Sequence, residues 1–545
     1  MTFLRPTSRA PLAAIFFASF LALLALSACK PRETAVERGT REQVLHRGIG
    51  VDLADLDPHL ATQAADYNVL SALFEGLVSE EPVDLHPVPG VAERWDVSPD
   101  GLTYTFYLRE NAKWSNGDPV TAQDFVDSWR RVLTPELGAE SAHLLHVIQG
   151  AKAFNKGVAG FDAVGITAPD TRTLRVTLEH PTPYFLSLLN HTAWFPVHRA
   201  TIEKAGTFTR RGTAWARPGK FVGNGPFTLK EWRFGQEIVA AKSDTYWDRA
   251  SVRLNGIVFR AFDSLDAEER AFRAGQLHLT EALPPGRIES YRRDAPELLR
   301  IDPLLGTYFL RLNVGRPFLS DVRVRRALGL AIDREAIVEK VLRGGQQPAR
   351  SFVPPGTAGY VFGGGFSTDF DAARALLAEA GYPEGKGLPP FELLFNSSET
   401  HRVIAEAIQE MWRRELGVQV ELVNQELNAV LEARRTGDFQ ILRSVWTGDY
   451  NDPTSFLDIW QSGSGNNYTG WSSASYDSLL FEAQRATSPE ERNRIFARAE
   501  ALLLEAVPMI PIYHYTHVFL LRPDVKGWHP TLLDRHPYKH VWLEK

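Results

Sequence analysis

The sequence predicts a mixed α/β protein with at least two sheet-based lobes. Three observations point there. Strand and helix signals alternate along the chain without an internal repeat. After residue 300 the pattern shifts to helix followed by strand. At about 100–200 residues per domain, 545 residues suffice for two to four domains. A hydrophobic fraction of 44% with 11% aromatics marks an ordinary packed chain and decides against disorder.

The elements follow in order. LTYTFYLRE (102–110) alternates apolar and polar residues as a strand does, between the turn signals Pro99-Asp100-Gly101 and Asn116-Gly117-Asp118-Pro119. TAQDFVDSWRRVL reads as a helix with Thr121 as N-cap and Asp124 at the third helical position. TLRVTLEH (173–180) is a strand stopped by Pro181, and NGPFTLKEWRFGQEIVAAK (224–242) is a hairpin around Gly235. Beyond 300, SDVRVRRALGLAIDREAIVEKVLRGG predicts one helix from a Ser320/Asp321 cap to Gly344-Gly345. DFDAARALLAEAG ends on Gly381, and THRVIAEAIQEMWRRELG ends on Gly417 before the alternating strand VQVELV. SPEERNRIFARAEALLLEAVP starts on Ser488 with Pro489 at the first helical position. PMIPIYHYTHVFLLRP predicts strands interrupted by prolines. The apolar faces of these helices read as core.

The N-terminus is not part of the fold. Arg5 and Arg9 precede the apolar run PLAAIFFASFLALLAL, and small residues close it, as in an export signal. The run is too short and too terminal for a spanning helix. Cys29 is the only cysteine, so no internal disulfide or cysteine metal pair exists. Leu26-Ser27-Ala28-Cys29 resembles a bacterial lipobox, which implies that Cys29 carries lipid and tethers the mature chain outside the cytoplasmic membrane. Each buried lipid methylene adds about 0.8 kcal/mol, so two or three acyl chains hold firmly. Lys30 to about Arg47 is polar and charged, and is expected to be an irregular tether.

Catalytic signatures are absent. The chain holds no GxSxG, HExxH, CxxC or GxxxxGK[ST]. His514 and His517 in HYTH, and His191 and His198 in HTAWFPVH, lack a nearby third ligand and read as ordinary satisfied histidines. GGGF (363–366) is a loop rather than a nucleotide fingerprint. A net charge of −6 without a lysine-arginine block gives no nucleic-acid signal. No metal or cofactor is therefore expected. What stands out is RSVWTGDYNDPTSFLD (443–458). Arg443, Trp446, Asp449 and Tyr450 fall within eight residues, and each is costly to bury unpaired. Either they pair with one another or a ligand pairs with them.

Six stretches together resemble one family. They are LDPH (56–59), LFEGLV (73–78), the run VAERWDVSPDGLTYTFYLRENAKWSNGDPVTAQDFVDSWRRVL (91–133), NGPF (224–227), LNVGRPFLSDVRVRRALGLAIDRE (312–335) and WTGDYNDPTSFL (446–457). They are similar to the periplasmic oligopeptide-binding proteins, the extracellular solute-binding components (family 5) of peptide ABC importers. The likeness spans roughly residues 45 to 540. It implies a two-lobed periplasmic-binding-protein fold of type II, closing like a clam shell, with an extra third domain. The division it implies is a signal at 1–28 and a tether at 29–45, then lobe I from 46–64, 191–300 and 516–545. An additional domain at 65–190 extends lobe I, and lobe II is 301–515.

The resemblance also assigns residues. Asp449 matches the aspartate that takes the ligand's α-amine. Arg443 matches a cleft arginine that meets ligand carboxylates, and Trp446 lines the cleft beside them. His401 matches a histidine serving the carboxylate of longer peptides, and Arg434 another cleft arginine. Asp52 matches an acidic residue on the facing lobe, and the backbone of Gly448 and Tyr450 would pair with the peptide. The family's NQEW segment reads NQEL here, so Leu427 leaves one pocket wall smaller and not aromatic. Region 136–150 could not be matched. A monomer that captures short peptides without catalysis, and docks on a permease driven by separate ATPase subunits, is what the likeness implies. Murein peptides, dipeptides, nickel chelates or haem as ligands, or an exported peptidase, stay open.

Overall fold

The computed structural model describes Thr2 and residues 33–545 except positions 51, 213 and 487; the expected export signal and Cys29 lie outside the described residues. Among the described residues no helix is long and apolar enough to cross a membrane.

The first lobe is built on a four-stranded sheet. Val44–Gly48 pairs in parallel with Gly256–Arg260, followed outward by Glu237–Lys242 and Phe227–Arg233. The last two form the expected hairpin, and Gly235 turns it at φ 70°. A second four-stranded sheet, from Ala92–Val97 to Thr173–Thr177 and Ile166–Thr167, holds Thr103–Leu108 in its middle. Helix Ala122–Leu133 starts with the predicted capping box between Thr121 and Asp124 and buries Phe125 and Trp129. Both sheets share one continuous core.

The second lobe has a six-stranded sheet and its own core. Leu299–Leu312 lies between Met509–Leu520 and Ile441–Thr447, with Phe391–Asn396 and Val420–Gln425 beyond. Glu399–Leu416 and Pro489–Ala506 cover it, and they start on Ser398 and Ser488 caps.

Two long antiparallel strands join the lobes. Residues 299–303 of Leu299–Leu312 pair with 516–520 of Met509–Leu520, and Leu520 packs with Phe272 and Leu283 of the first lobe. Residues 307–311 pair with 509–514 inside the second core. Between Pro303 and Thr307 the register breaks.

Three expectations change. Residues 35–42 form a helix, Ala35–Glu42, with a capping box between Thr34 and Glu37, and strand Val44–Gly48 follows, so 35–47 is ordered structure rather than irregular tether. The single helix expected over 320–345 is broken. Val322–Leu330 ends, Asp333 caps a new turn at Ala336, and the buried Arg334 guanidinium takes the carbonyls of Gly329, Ile332 and Pro511. Met509–Leu520 runs as one strand through Pro511. The proline sits at a second register shift, where its missing N–H costs no ladder bond.

The LDPH stretch has a structural reason. Arg131, fully buried, donates to both carboxylate oxygens of Asp57 at 2.5 and 2.9 Å and lies 2.8 Å from His59 Nδ1. This ties the loop after the first strand to helix Ala122–Leu133. Burial alone would raise the Asp57 carboxyl, but Arg131 holds it below the usual range. Arg131→Met strands a buried carboxylate and should cost about 3–5 kcal/mol in urea unfolding, while an apolar replacement of both partners should cost less.

Candidate ligand-binding cleft

Strand Ile441–Thr447 ends at the cleft between the lobes. Gly448 continues it with its N–H donating to Leu305 O at 2.8 Å. The approach is close: a β-carbon on Gly448 would meet Leu305 Cδ2 at 2.6 Å, which accounts for glycine there. Asn451-Asp452-Pro453 then turns the chain, and Arg492 anchors Asp452 through two bonds of 2.6 and 2.8 Å.

A cavity of about 770 Å³ opens here. Thr447, Gly448 and Asp449 form one wall. Tyr67, Asn68 and Glu281 come from the first lobe, and Glu140, Ser141 and His143 from the 3₁₀ segment Glu140–Val147. The returning segment around Asp534 and Arg535 closes the back. Arg535 donates to Glu80 Oε1 at 2.8 Å and to the Asp449 carbonyl at 3.2 Å, while the Asp449 N–H goes to Ser455 Oγ at 3.1 Å. Asp449 is thus held by its backbone. Among the described residues its carboxylate makes no ion pair. The group is wetted by the open cavity yet ringed by protein, and this burial pushes its pKa up against the pull of His143 and Arg535.

Arg443 does not pair with Asp449. It donates to Asn396 Oδ1 and Tyr515 OH, both at 3.2 Å, and stacks 4.7 Å over the Tyr308 ring. His401 lies beside the same ring at 5.7 Å. Its pKa is lowered to about 4 by burial and by Arg443, so the ring is neutral at pH 7. Arg443 Nε and His401 Nδ1 are both buried without a partner. Strand alternation puts Arg443 on the face opposite Trp446. Tyr515 carries the cluster to the cleft, because it lines a second cavity of about 450 Å³ that shares the Leu304 wall with the first.

Trp446 donates Nε1 to Ser455 O at 2.5 Å and lines a smaller pocket next to Asp449. Of the two backbone groups expected to pair with ligand, each is half engaged. The Gly448 N–H serves Leu305 and the Tyr450 carbonyl accepts from Asp452, whereas the Gly448 carbonyl and the Tyr450 N–H have no bond among the described residues. The Tyr450 ring stacks on Tyr184 at 4.6 Å. Arg434 stands apart, 4.9 Å over Tyr468 and close enough to Arg311 that burial and Arg434 together lower that guanidinium to about 9. Asp52 is a correction. Its carboxylate accepts from Leu53 N and from Gly235 N at 2.5 Å, bracing the hairpin turn instead of facing the cleft. Leu427 is half exposed at a helix start.

Sequence reasoning missed the 140–143 wall and the returning segment. The only local signal for the first is an exposed His143 between buried Ala142 and Leu144. The paired histidines prove occupied. His514 contacts Thr307 Oγ1, His191 accepts from Ala193 N, and His198 reaches Thr201. His517 pairs with Asp534 at 3.0 Å; burial opposes its charge, but Asp534 overrides it and raises the pKa to about 9.

The family model for bacterial extracellular solute-binding proteins, family 5 (Middle), matches residues 86–468. The chain belongs to this family. It is 38% identical to the periplasmic oligopeptide-binding protein of Escherichia coli (strain K12), over 89% of this chain and 90% of that one. It is 37% identical to the periplasmic murein peptide-binding protein of the same organism, over 93% and 95%. The unliganded open form of the periplasmic murein tripeptide-binding protein superposes with a TM-score of 0.82 at 36% identity, covering 94% of this chain and 99% of that one. The fold is the type II periplasmic-binding-protein fold, and the protein is a solute-binding protein without enzymatic activity.

The His401 shift is directly measurable. Its ring should titrate near 4 by NMR, and Arg443→Met, which removes the adjacent cation, should move that titration upward.

Proposed function

We propose that this chain is the extracytoplasmic receptor of a peptide ABC importer, capturing short oligopeptides by their charged ends and backbone. The observation that carries this is the Asp449 carboxylate, free of ion pairs among the described residues, in a cavity of about 770 Å³. A peptide ammonium there gains a charge-assisted hydrogen bond. The free Gly448 carbonyl and Tyr450 N–H offer one acceptor and one donor to an extended backbone. At the Tyr515 end, Arg443 and His401 offer a carboxylate site. Relatives named for oligopeptides, murein peptides and dipeptides support the class. A ligand touching both lobes would shift the population toward closure. Hydrated side-chain pockets cost only about 0–2 kcal/mol per bridging water, so many sequences would be tolerated. The closed monomer would then deliver its cargo to a membrane permease with separate ATPase subunits, tethered throughout by lipid on Cys29.

A murein tripeptide is the second reading, favoured by the likeness to the murein tripeptide-binding protein. It would use the same amine site. Native mass spectrometry of freshly purified protein distinguishes the two by the mass that travels with it.

Calorimetry with a mixed tetrapeptide pool tests the amine site. Asp449→Ala should weaken binding by about 2–5 kcal/mol. N-acetylation of the peptides should weaken the wild type by a similar amount and add little to the variant; undiminished affinity in either experiment removes Asp449 from the site.

The acid end has its own signature. A ligand carboxylate beside His401 raises a pKa that starts at about 4. At about pH 5.5 the free-acid peptide should therefore take up more protons on binding than its C-terminal amide, read from heats in buffers of different ionisation enthalpy.

A further inference from the structure

We propose that Asp458 makes the pocket beside Asp449 selective for a cationic side chain, lysine or arginine, near the amino end of the bound peptide. This rests on the peptide reading above. The pocket holds about 260 Å³ and is lined by Tyr184, Trp446, Asp449, Tyr450 and Asp458 among others. It shares Asp449 and His143 with the main cavity, so a chain whose ammonium sits on Asp449 places one of its first side chains at this opening.

The pocket sets acids beside aromatic walls. Asp458 lines this pocket, and the Asp452–Arg492 pair lies outside the lining but close enough to act on its charge. Asp452 takes Arg492 in a two-bond pair at 2.6 and 2.8 Å and accepts from Thr454 N and Oγ1. Asp458 makes no ion pair among the described residues, and its carboxylate receives only a long 3.4 Å bond from Gln461 Nε2. Asp458 is thus left beside the cavity without a cationic partner among the described residues. Burial, with Asp452 adding to it against the pull of Arg492, pushes the Asp458 carboxyl up to about 7, so the empty pocket holds this acid at the edge of ionisation. A lysine ammonium or guanidinium would supply the missing charge. The walls suit its stem. Tyr184 and Tyr450 stack at 4.6 Å, 8° from parallel, and Trp446 stands beside them. Aromatic surfaces accept methylene stems and attract cations. The aspartate therefore sets charge preference while Asp449 grips the main chain.

The test uses four-residue peptides and calorimetry on the full chain. Tetra-alanine measures the peptide reading by itself. Lysine at position one or two is compared with uncharged norleucine at the same position. The wild type should prefer lysine by about tenfold or more at one of the two positions, and Asp458→Asn should bring the two peptides to near parity. Unchanged tetra-alanine affinity in the variant shows that the site still folds. Equal wild-type affinities for lysine and norleucine, with tetra-alanine bound, overturn the proposal and leave the peptide reading standing. A lysine preference that survives Asp458→Asn also overturns it. Failure of the wild type to bind any of the peptides sinks the peptide reading, and this inference with it.

Discussion

Arg535 holds Asp449 by its carbonyl and leaves the carboxylate free. That division sets the character of the cleft. Had the guanidinium met the side chain, the acid would be spent on a structural bridge, as Asp452 is spent on Arg492. The arginine satisfies its own charge on Glu80 instead, and Tyr67 lies under it at 4.8 Å. A buried carboxylate without a partner is expensive. Asp449 is exposed to the cavity, which lowers the cost of leaving its carboxylate unpaired.

The same economy appears at the acid end. Arg443 meets neutral partners, an amide oxygen, a phenol and an aromatic face, rather than a carboxylate. Neutral partners can be supplemented by an incoming anion, whereas an ion pair would have to be broken. His401 contributes no charge while burial and Arg443 keep it neutral. The Arg443 cluster and the Asp449 carboxylate thus carry opposite charge and are separated along strand Ile441–Thr447, which rises about 3.3 Å per residue.

Much of this was legible in the residues. Capping residues announced helices where side-chain chemistry could satisfy free N–H groups, as at Thr121 and Ser488. Gly235 marked its hairpin because only a left-handed turn fits. The run from Arg443 to Asp449 stood out because costly groups were crowded together. What could not be read was tertiary. Arg334 breaks a helix by binding carbonyls from a distant strand, Pro511 hides in a register shift, and Asp52 turns to a hairpin 183 residues away. The 140–143 wall carried no periodic signal, and Asp534 and Arg535 reach the cleft only because the chain's end folds back across both lobes.

The interrupted ladder between Pro303 and Thr307 has a mechanical consequence. Apart from this gap and the shift at Pro511 the two joining strands are paired, and each lobe has its own core. The unpaired stretch includes Leu304, which both cavities touch. The break in the ladder and the two cavities are therefore neighbours, so a shift of one lobe against the other at this point would change the shape of both cavities.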